Sequence, residues 1–409
     1  MRVLAEVIKQ VKAKYVGPID DRKLAADAIR GIIQGLDPFS DYLEPEAYTD
    51  LKQENGGKFG GLGMEVAMDG GAVRVISAFE DSPAFQAGLR PGDLITRLNE
   101  VSVDGLTLDQ AIQRARGEPD TSVVLTVLRK GDIEPRIVSV RRAVIQSRSV
   151  KSALLGSGYG YIKITQFNQR TADLMLSSLL RLSNQSGSGL KGVLLDLRDN
   201  PGGLLKAAVA VSSAFLPQKS LVVYTESAVA QSRMRLQTAE DQYLHAGSAE
   251  NVQHLADLKT LPLVVLVNSG SASAAEIVAG ALQDHGRATV VGTQTFGKGS
   301  VQVLVPLANG AALKLTTAYY LTPEGQRIQG KGVTPDVIFE QAAVDAASSV
   351  TPVAVIAKST KTGEAACTMP ESLGAQDAAI LRAISGNVDD CQLGRAIKLL
   401  RHLPVLARG

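Results

Sequence analysis

No run of the chain approaches the roughly 18 consecutive apolar residues that a membrane-crossing helix needs, so no helical span is expected. Charge of one sign is equally scarce: 43 Lys and Arg stand against 41 Asp and Glu, a formal net charge of +2. That balance leaves no basic stripe for nucleic acid and no polybasic membrane patch. The opening stretch MRVLAEVIKQVKAKY carries charges at amphipathic helical spacing and is not a secretory leader pattern. Histidine occurs four times, and His285, in QDHGR, sits before Gly286 where a helix ends and a cation suits the dipole; it reads as structural. Cysteine occurs twice, at Cys367 and Cys391. Two fit one disulfide in an oxidising compartment, or two buried thiols, and neither has the histidine motif of a nucleophile.

What is present is too long for one ordinary core, since 409 residues imply two to four domains, and 45% hydrophobic content is enough to pack them. The organising stretch is residues 261–284, LPLVVLVNSGSASAAEIVAGALQD. Its Val-rich apolar run reads as a buried parallel strand, its small residues as a tight turn, and AAEIVAGALQ as a helix. Ser273 falls at the turn-to-helix junction, where unpaired N–H groups and the helix dipole favour developing negative charge. The hydroxyl there is either a nucleophile or a plain N-cap. Downstream, TQTFGKGSVQ places Lys298 between two glycines, which lets the backbone pack closely and puts the ammonium inside a cleft. Residues 292–298 also copy the intervals of a phosphate-binding loop, but Gly299 replaces the magnesium-binding Ser or Thr, and SVQVLVPL reads as strand rather than helix.

Together, SASAAEI, TFGKGSVQ and the upstream LDLRDNPGG resemble the carboxyl-terminal processing peptidases, or tail-specific proteases, over roughly residues 3–340. The resemblance implies Ser273 as nucleophile, Lys298 as general base and Gln302 as the residue that orients it. It also implies backbone N–H groups of Gly203 and Ala274 as the oxyanion donors, with Gly202 and Gly203 keeping side chains out of the way. Asp199 has no histidine to serve and is left out of the catalytic set; Asp199-Asn200-Pro201 reads as the turn that holds this loop. No metal or other cofactor is implied. The family is exported, which implies a periplasmic or otherwise exported protein, with membrane association open and its leader outside this chain.

Four regions are expected. Residues 1–54 read as helices, with Val3, Leu4, Val7, Ile8 and Val11 in one stripe and an LDPFS turn at residues 36–40. In the resembled family that region packs on the core and often helps dimerise it. Residues 55–143 change to short β runs with a helix over residues 108–115. Their SPA and AGLRPGDLI resemble a PDZ domain, in which Gly60, Gly61 and Gly63 would offer N–H groups to a terminal carboxylate and Leu62 would line the pocket for the last side chain. A hairpin loop is the alternative for those glycines. Arg116 either couples this domain to the catalytic one, as the resemblance implies, or is a solvated surface charge.

Residues 144–340 alternate strands and helices, with helices over 171–182 and 204–215. Residues 224–258 read as polar and helix-prone with little strand character, an insertion near the cleft or an oligomer contact. Residues 341–409 end in helical DAAILRAI and QLGRAIKLLRHL. The fold class is therefore α/β, a crotonase/Clp-protease-like core by resemblance, with an inserted PDZ domain and helical terminal regions. The implied function is a serine endopeptidase acting on proteins recognised by free C-terminal tails, bound by a PDZ domain that gates activity. The implied assembly is a homo-oligomer, a dimer favoured, with an adaptor protein left open. The competing reading is a catalytically silent PDZ peptide-binding scaffold.

A Ser/Lys dyad requires a neutral lysine, whose free pKa is about 10.4. Burial away from carboxylates can disfavour the charged form by the roughly 4 kcal/mol that a three-unit depression needs. Lys298 is accordingly expected in an apolar cleft.

Overall fold

The computed structural model describes residues 2–79, 82–132, 134–146, 149–156, 158–239, 258–339 and 390–404. Two compact units are present, one made of residues 1–48 with 149–409 and the other of residues 49–148. Two amphipathic helices, α1 (Arg2–Lys14) and α2 (Asp21–Gln34), open the chain. Asp20 caps α2 by accepting from the Arg22 and Lys23 N–H groups. The short strand β1 (Asp41–Leu43) follows, then helix α3 (Pro45–Asn55).

The second unit is β-rich. Strand β2 (Lys58–Gly61) pairs with β9 (Ala143–Gln146). A separate sheet runs in the order β3 (Met64–Asp69), β4 (Ala72–Ala78), β5 (Leu94–Leu98), β7 (Ser122–Leu128), β8 (Arg136–Arg141), with β6 (Val101–Ser102) against β5. Helix α4 (Pro83–Gln86) is capped by Ser82. Helix α5 spans Leu108–Ala115, as periodicity indicates, and starts at a Thr107/Gln110 capping box. Val75, Ile95, Val103, Val123, Leu125 and Val127 are fully buried and form this unit's core.

The first unit holds two sheets. One is six-stranded: β10 (Val150–Leu155), β11 (Tyr159–Ile164), β12 (Gly192–Asp196), β15 (Leu263–Val267), β16 (Thr289–Gly292) and β19 (Val337–Ile338), in that spatial order and parallel from β11 onward. The other is built on β18 (Ala312–Leu321), which pairs antiparallel with β1, β13 (Leu221–Glu226) and β17 (Ser300–Pro306); β14 (Arg235–Gln237) flanks β13. Helices α6 (Thr171–Ser186), α7 (Leu205–Ser213) and α8 (Ala274–Asp284) share the main core with alternate residues of β12 and β15. The remaining residues of those strands, Leu194, Val264 and Leu266, pack instead with α9 (Cys391–His402). The central strands are thus buried on both faces, the physical reason their sequences run continuously apolar.

Strand β14 corrects the expectation of a helix-prone segment after residue 224. Its Leu236, with Met234, packs against the main core while its backbone ladders onto β13, so tertiary pairing overrides local propensity. Residues 240–257 of that segment, and the segment DAAILRAI, lie outside the described residues. Cys367 does too, whereas Cys391 is disulfide-bonded. No described helix is long and apolar enough to cross a membrane.

Candidate active site

Strand β15 delivers the chain to Asn268, and the turn that follows is tightly bonded. Asn268 N–H donates to Ser271 Oγ at 3.0 Å, and that hydroxyl donates to the Leu197 carbonyl at 2.8 Å. The turn ends at Ser273, whose backbone stands at φ 54°, ψ −113°. A residue with a Cβ pays a steric penalty there, and such conformations persist where surrounding bonds hold them. Ala274 then begins α8, and its N–H has no acceptor among the described residues.

The holding bonds come chiefly from Glu276. Its side chain is fully buried and its carboxylate accepts four donors: Ser273 N–H at 2.8 Å, Thr295 Oγ1 at 2.5 Å, Gly297 N–H at 2.7 Å and Lys298 N–H at 2.9 Å. Ser273 and Lys298 N–H share the same oxygen, Oε2. The strand-to-helix turn and the glycine-flanked lysine loop are therefore joined through one carboxylate, although no hydrogen bond links Ser273 Oγ to Lys298 Nζ among the described residues.

Opposite this turn lies the loop 199–203. Buried Asn200 organises it: its Nδ2 donates to the Ile164 carbonyl at 2.8 Å, its Oδ1 accepts from Gly202 N–H at 2.8 Å, and its carbonyl accepts from Ala272 N–H at 2.9 Å. Asp199 pairs side chain to side chain with Asn268 at 2.8 Å. Gly203 forms a parallel bridge with Phe167, in which Phe167 N–H bonds the Gly202 carbonyl and Leu204 N–H bonds the Phe167 carbonyl. In that pattern the N–H of Gly203 itself points away from Phe167, and it has no acceptor among the described residues. A Cβ on Gly203 would run into the Phe167 backbone, and one on Gly202 would lie 2.7 Å from Ser273 Cβ and 3.0 Å from Ala274 N. The two glycines therefore permit the loop to close on the serine turn.

Lys298 is half-buried. Burial pushes its pKa below the ordinary value, Lys314 adds to that, and Glu276 opposes it. Its Nζ lies 5.6 Å from the centroid of Phe39 in the LDPFS turn. Asp37 fixes that turn by accepting from Phe39 N–H, Ser40 N–H and Ser40 Oγ at 2.7–2.9 Å, and from Thr316 Oγ1 at 3.1 Å. Gln302 lies opposite Thr316 in the β17–β18 ladder and donates to Ser300 Oγ at 2.6 Å and Thr316 Oγ1 at 3.4 Å. Its Oε1 accepts from no donor among the described residues. Strand β17 follows Lys298 directly, which removes the phosphate-loop reading, since that motif needs a helix at this point. His285 caps the C-terminal end of α8, its Nε2 2.7 Å from the Leu221 carbonyl.

In the second unit, Gly60 and Gly61 lie inside β2, paired with Val144 and Ala143. Leu62 and Gly63 form the turn into β3, and their N–H groups have no acceptor among the described residues. Leu62 is 3% exposed and belongs to the unit's core. Arg116, the residue after α5, pairs with Glu54 and lies 4.7 Å over the Phe59 ring, all within the same unit. Two residues carry more of the geometry than their sequence signal indicated. Glu276 is one, an acid three positions past the serine on an otherwise apolar helix; Asn200 is the other, in a turn read only as a support.

Residues 158–339 match the family described as Peptidase family S41, and residues 74–129 match the PDZ domain. The carboxy-terminal-processing protease of Bartonella bacilliformis is 41% identical over 337 residues, covering 82% of this chain and 74% of that protein. A probable CtpA-like serine protease of Staphylococcus aureus is 36% identical over 338 residues, covering 82% of this chain and 64% of that protein. A putative S41 protease from Bacteroides fragilis has a similar fold, with a TM-score of 0.51 at 17% identity, over 80% of this chain and 85% of that one.

Proposed function

The chain belongs to peptidase family S41, the carboxy-terminal-processing proteases, and from that premise we propose that it is a serine endopeptidase with a Ser273/Lys298 dyad. The observation that carries this reading is the single Glu276 oxygen that accepts from both the Ser273 and the Lys298 backbone. Lys298, its pKa lowered by burial, takes the proton of Ser273 Oγ as that oxygen attacks the substrate carbonyl. The free Oε1 of Gln302 is suited to orient the amine. The unpartnered N–H groups of Gly203 and Ala274 are suited to receive the oxyanion. The leaving amine departs with a proton from Lys298, and water then hydrolyses the acyl-enzyme through the same base.

A reporter protein with an apolar C-terminal tail tests the reading. Incubation with purified protein should give new termini by mass spectrometry, and Ser273→Ala protein should give none. Tail binding without cleavage would instead favour the silent scaffold.

Tail recognition is assigned to the second unit. Strand β3 ends its sheet and can accept an extended peptide as an added strand, with Leu62 and Gly63 N–H at the carboxylate. Gly60 and Gly61 support that turn from β2. Gating is assigned to Arg116. Arg116→Ala should change tail-stimulated cleavage severalfold while cleavage of a tailless unfolded substrate changes differently; equal rates for both substrates before and after the substitution would remove the coupling role. Residence in the periplasm, or another exported oxidising compartment, is supported by the Cys391 disulfide. Self-association is supported by α1, which buries none of its residues and leaves Val3 76% and Val7 51% exposed. Sedimentation velocity should show a dimer, and a monomer at every concentration would reject it.

A further inference from the structure

Arg198 lies two residues past the end of β12, at the entry to the loop 199–203, and it is only 5% exposed. Its guanidinium is held from two directions. Asp196, on β12, accepts from Nε at 3.0 Å and Nη2 at 2.7 Å, and also from the Arg198 backbone N–H at 3.0 Å. Asp390, the N-cap of α9, accepts from Nη1 at 2.8 Å and Nη2 at 2.7 Å. Gln392 Oε1 lies 3.4 Å from Nη1, and Tyr161 Oη donates to Asp196 at 2.9 Å. The arginine pKa is raised and that of Asp196 lowered by their mutual charge, despite burial acting on each in the opposite sense.

Asp196 is two residues from Arg198 and closes a local turn. Asp390 is 192 residues away and ties that turn to a separate helix, which packs on the sheet through Leu393, Ala396, Ile397 and Leu400. We infer that Asp390 is a positioning residue for the reaction: by pairing with Arg198 it holds the loop carrying Gly202 and Gly203 against the Ser273 turn. This rests on the dyad reading proposed above. Without the second carboxylate, Arg198 Nη2 loses its acceptor on α9 and the largely buried guanidinium loses one of its two counter-charges. Arg198 relieves that by withdrawing toward solvent, and the backbone at residues 198–200 moves with it. The C-terminal helix thereby enters the catalytic geometry without touching substrate.

Asp390→Asn preserves size and keeps the oxygen that accepts from Leu393 N–H at 3.0 Å and from Arg198 Nη1, while it removes the negative charge and turns an NH₂ toward Arg198 Nη2. Its kcat on the tail-bearing reporter should fall by about 10-fold or more, with KM within about twofold, as expected when transition-state donors are misplaced. Asp390→Glu should recover part of that loss. Leu393→Ala, which loosens the helix without touching Arg198, should lower the melting temperature at least as much yet keep kcat within about twofold. Hydrogen exchange at the Gly202, Leu204 and Ala272 amides, read without substrate, should accelerate by about 10-fold in Asp390→Asn and not in Leu393→Ala. If wild-type protein does not cleave while the exchange difference appears, the protease reading fails and the loop-holding role stands. Unchanged exchange at all three amides in Asp390→Asn overturns the inference, as does a kcat loss that merely follows the loss of melting temperature in both variants.

Discussion

Ser273→Ala and Lys298→Ala should each reduce cleavage of the tail-bearing reporter by about 10⁴-fold or more, with secondary structure and cooperative melting retained. The serine is held in a conformation that few side chains adopt, on a turn fixed by Glu276 and Asn268. Removing its oxygen leaves that scaffold intact and removes the attacking group. Removing the amine leaves the oxygen without a base, and no histidine among the described residues is bonded to it. The pH profile follows from the direction of the lysine shift. A lysine whose pKa lies below its ordinary 10.5 loses its proton at lower pH, so kcat/KM should climb as pH rises through that lowered value. The same shift links to stability. Between the lowered value and 10.5 the unfolded chain binds the extra proton, so wild-type stability rises with pH across that window. In Lys298→Met protein this contribution should vanish in denaturation curves taken at a series of pH values. Full-rate cleavage by either alanine variant, or a rising limb at the pKa of a free lysine, would contradict the assignment.

Glu276→Gln should damage activity less than loss of either dyad residue and damage the fold more. The carboxylate is buried and takes three backbone N–H groups and one hydroxyl. A glutamine amide offers one oxygen, and turns an NH₂ toward groups that are themselves donors. At least two buried donors then lose their acceptor, at about 1–3 kcal/mol each. We therefore expect about 3 kcal/mol of destabilisation in urea titrations and at least about 10²-fold lower kcat, because the shared anchor of Ser273 and Lys298 is broken. Glu276→Asp, too short to reach both strands of the site, should not rescue. A Glu276→Gln protein with wild-type kcat would show that the serine and lysine loops hold their places without it.

Much of the secondary structure was legible because it is written locally. The apolar run over β15, the small-residue turn and the helical period after Ser273 specify strand, turn and helix by neighbours a few positions apart. Helix α5 was likewise placed from the sequence over the residues it occupies, 108–115. Strand β14 was not, because its three residues are too short a run to mark a strand among polar neighbours, and they take their conformation from the ladder on β13. The placement of Gly60 and Gly61 inside β2 was hidden for the same reason. A glycine pair reads as loop until a partner strand, here β9, is known.

By itself, the sequence determined the α/β character of the core, the turn that presents Ser273, and the family to which its motifs point. These rest on short-range periodicity and on residue types that only certain local conformations accept. Tertiary structure decided the rest: which oxygen ties Ser273 to Lys298, which amide aligns the loop 199–203, and which distant carboxylate meets Arg198. Each of those is a hydrogen bond between groups remote in the chain. A buried donor takes whatever acceptor the packed elements bring to it, and no local pattern records which one that will be.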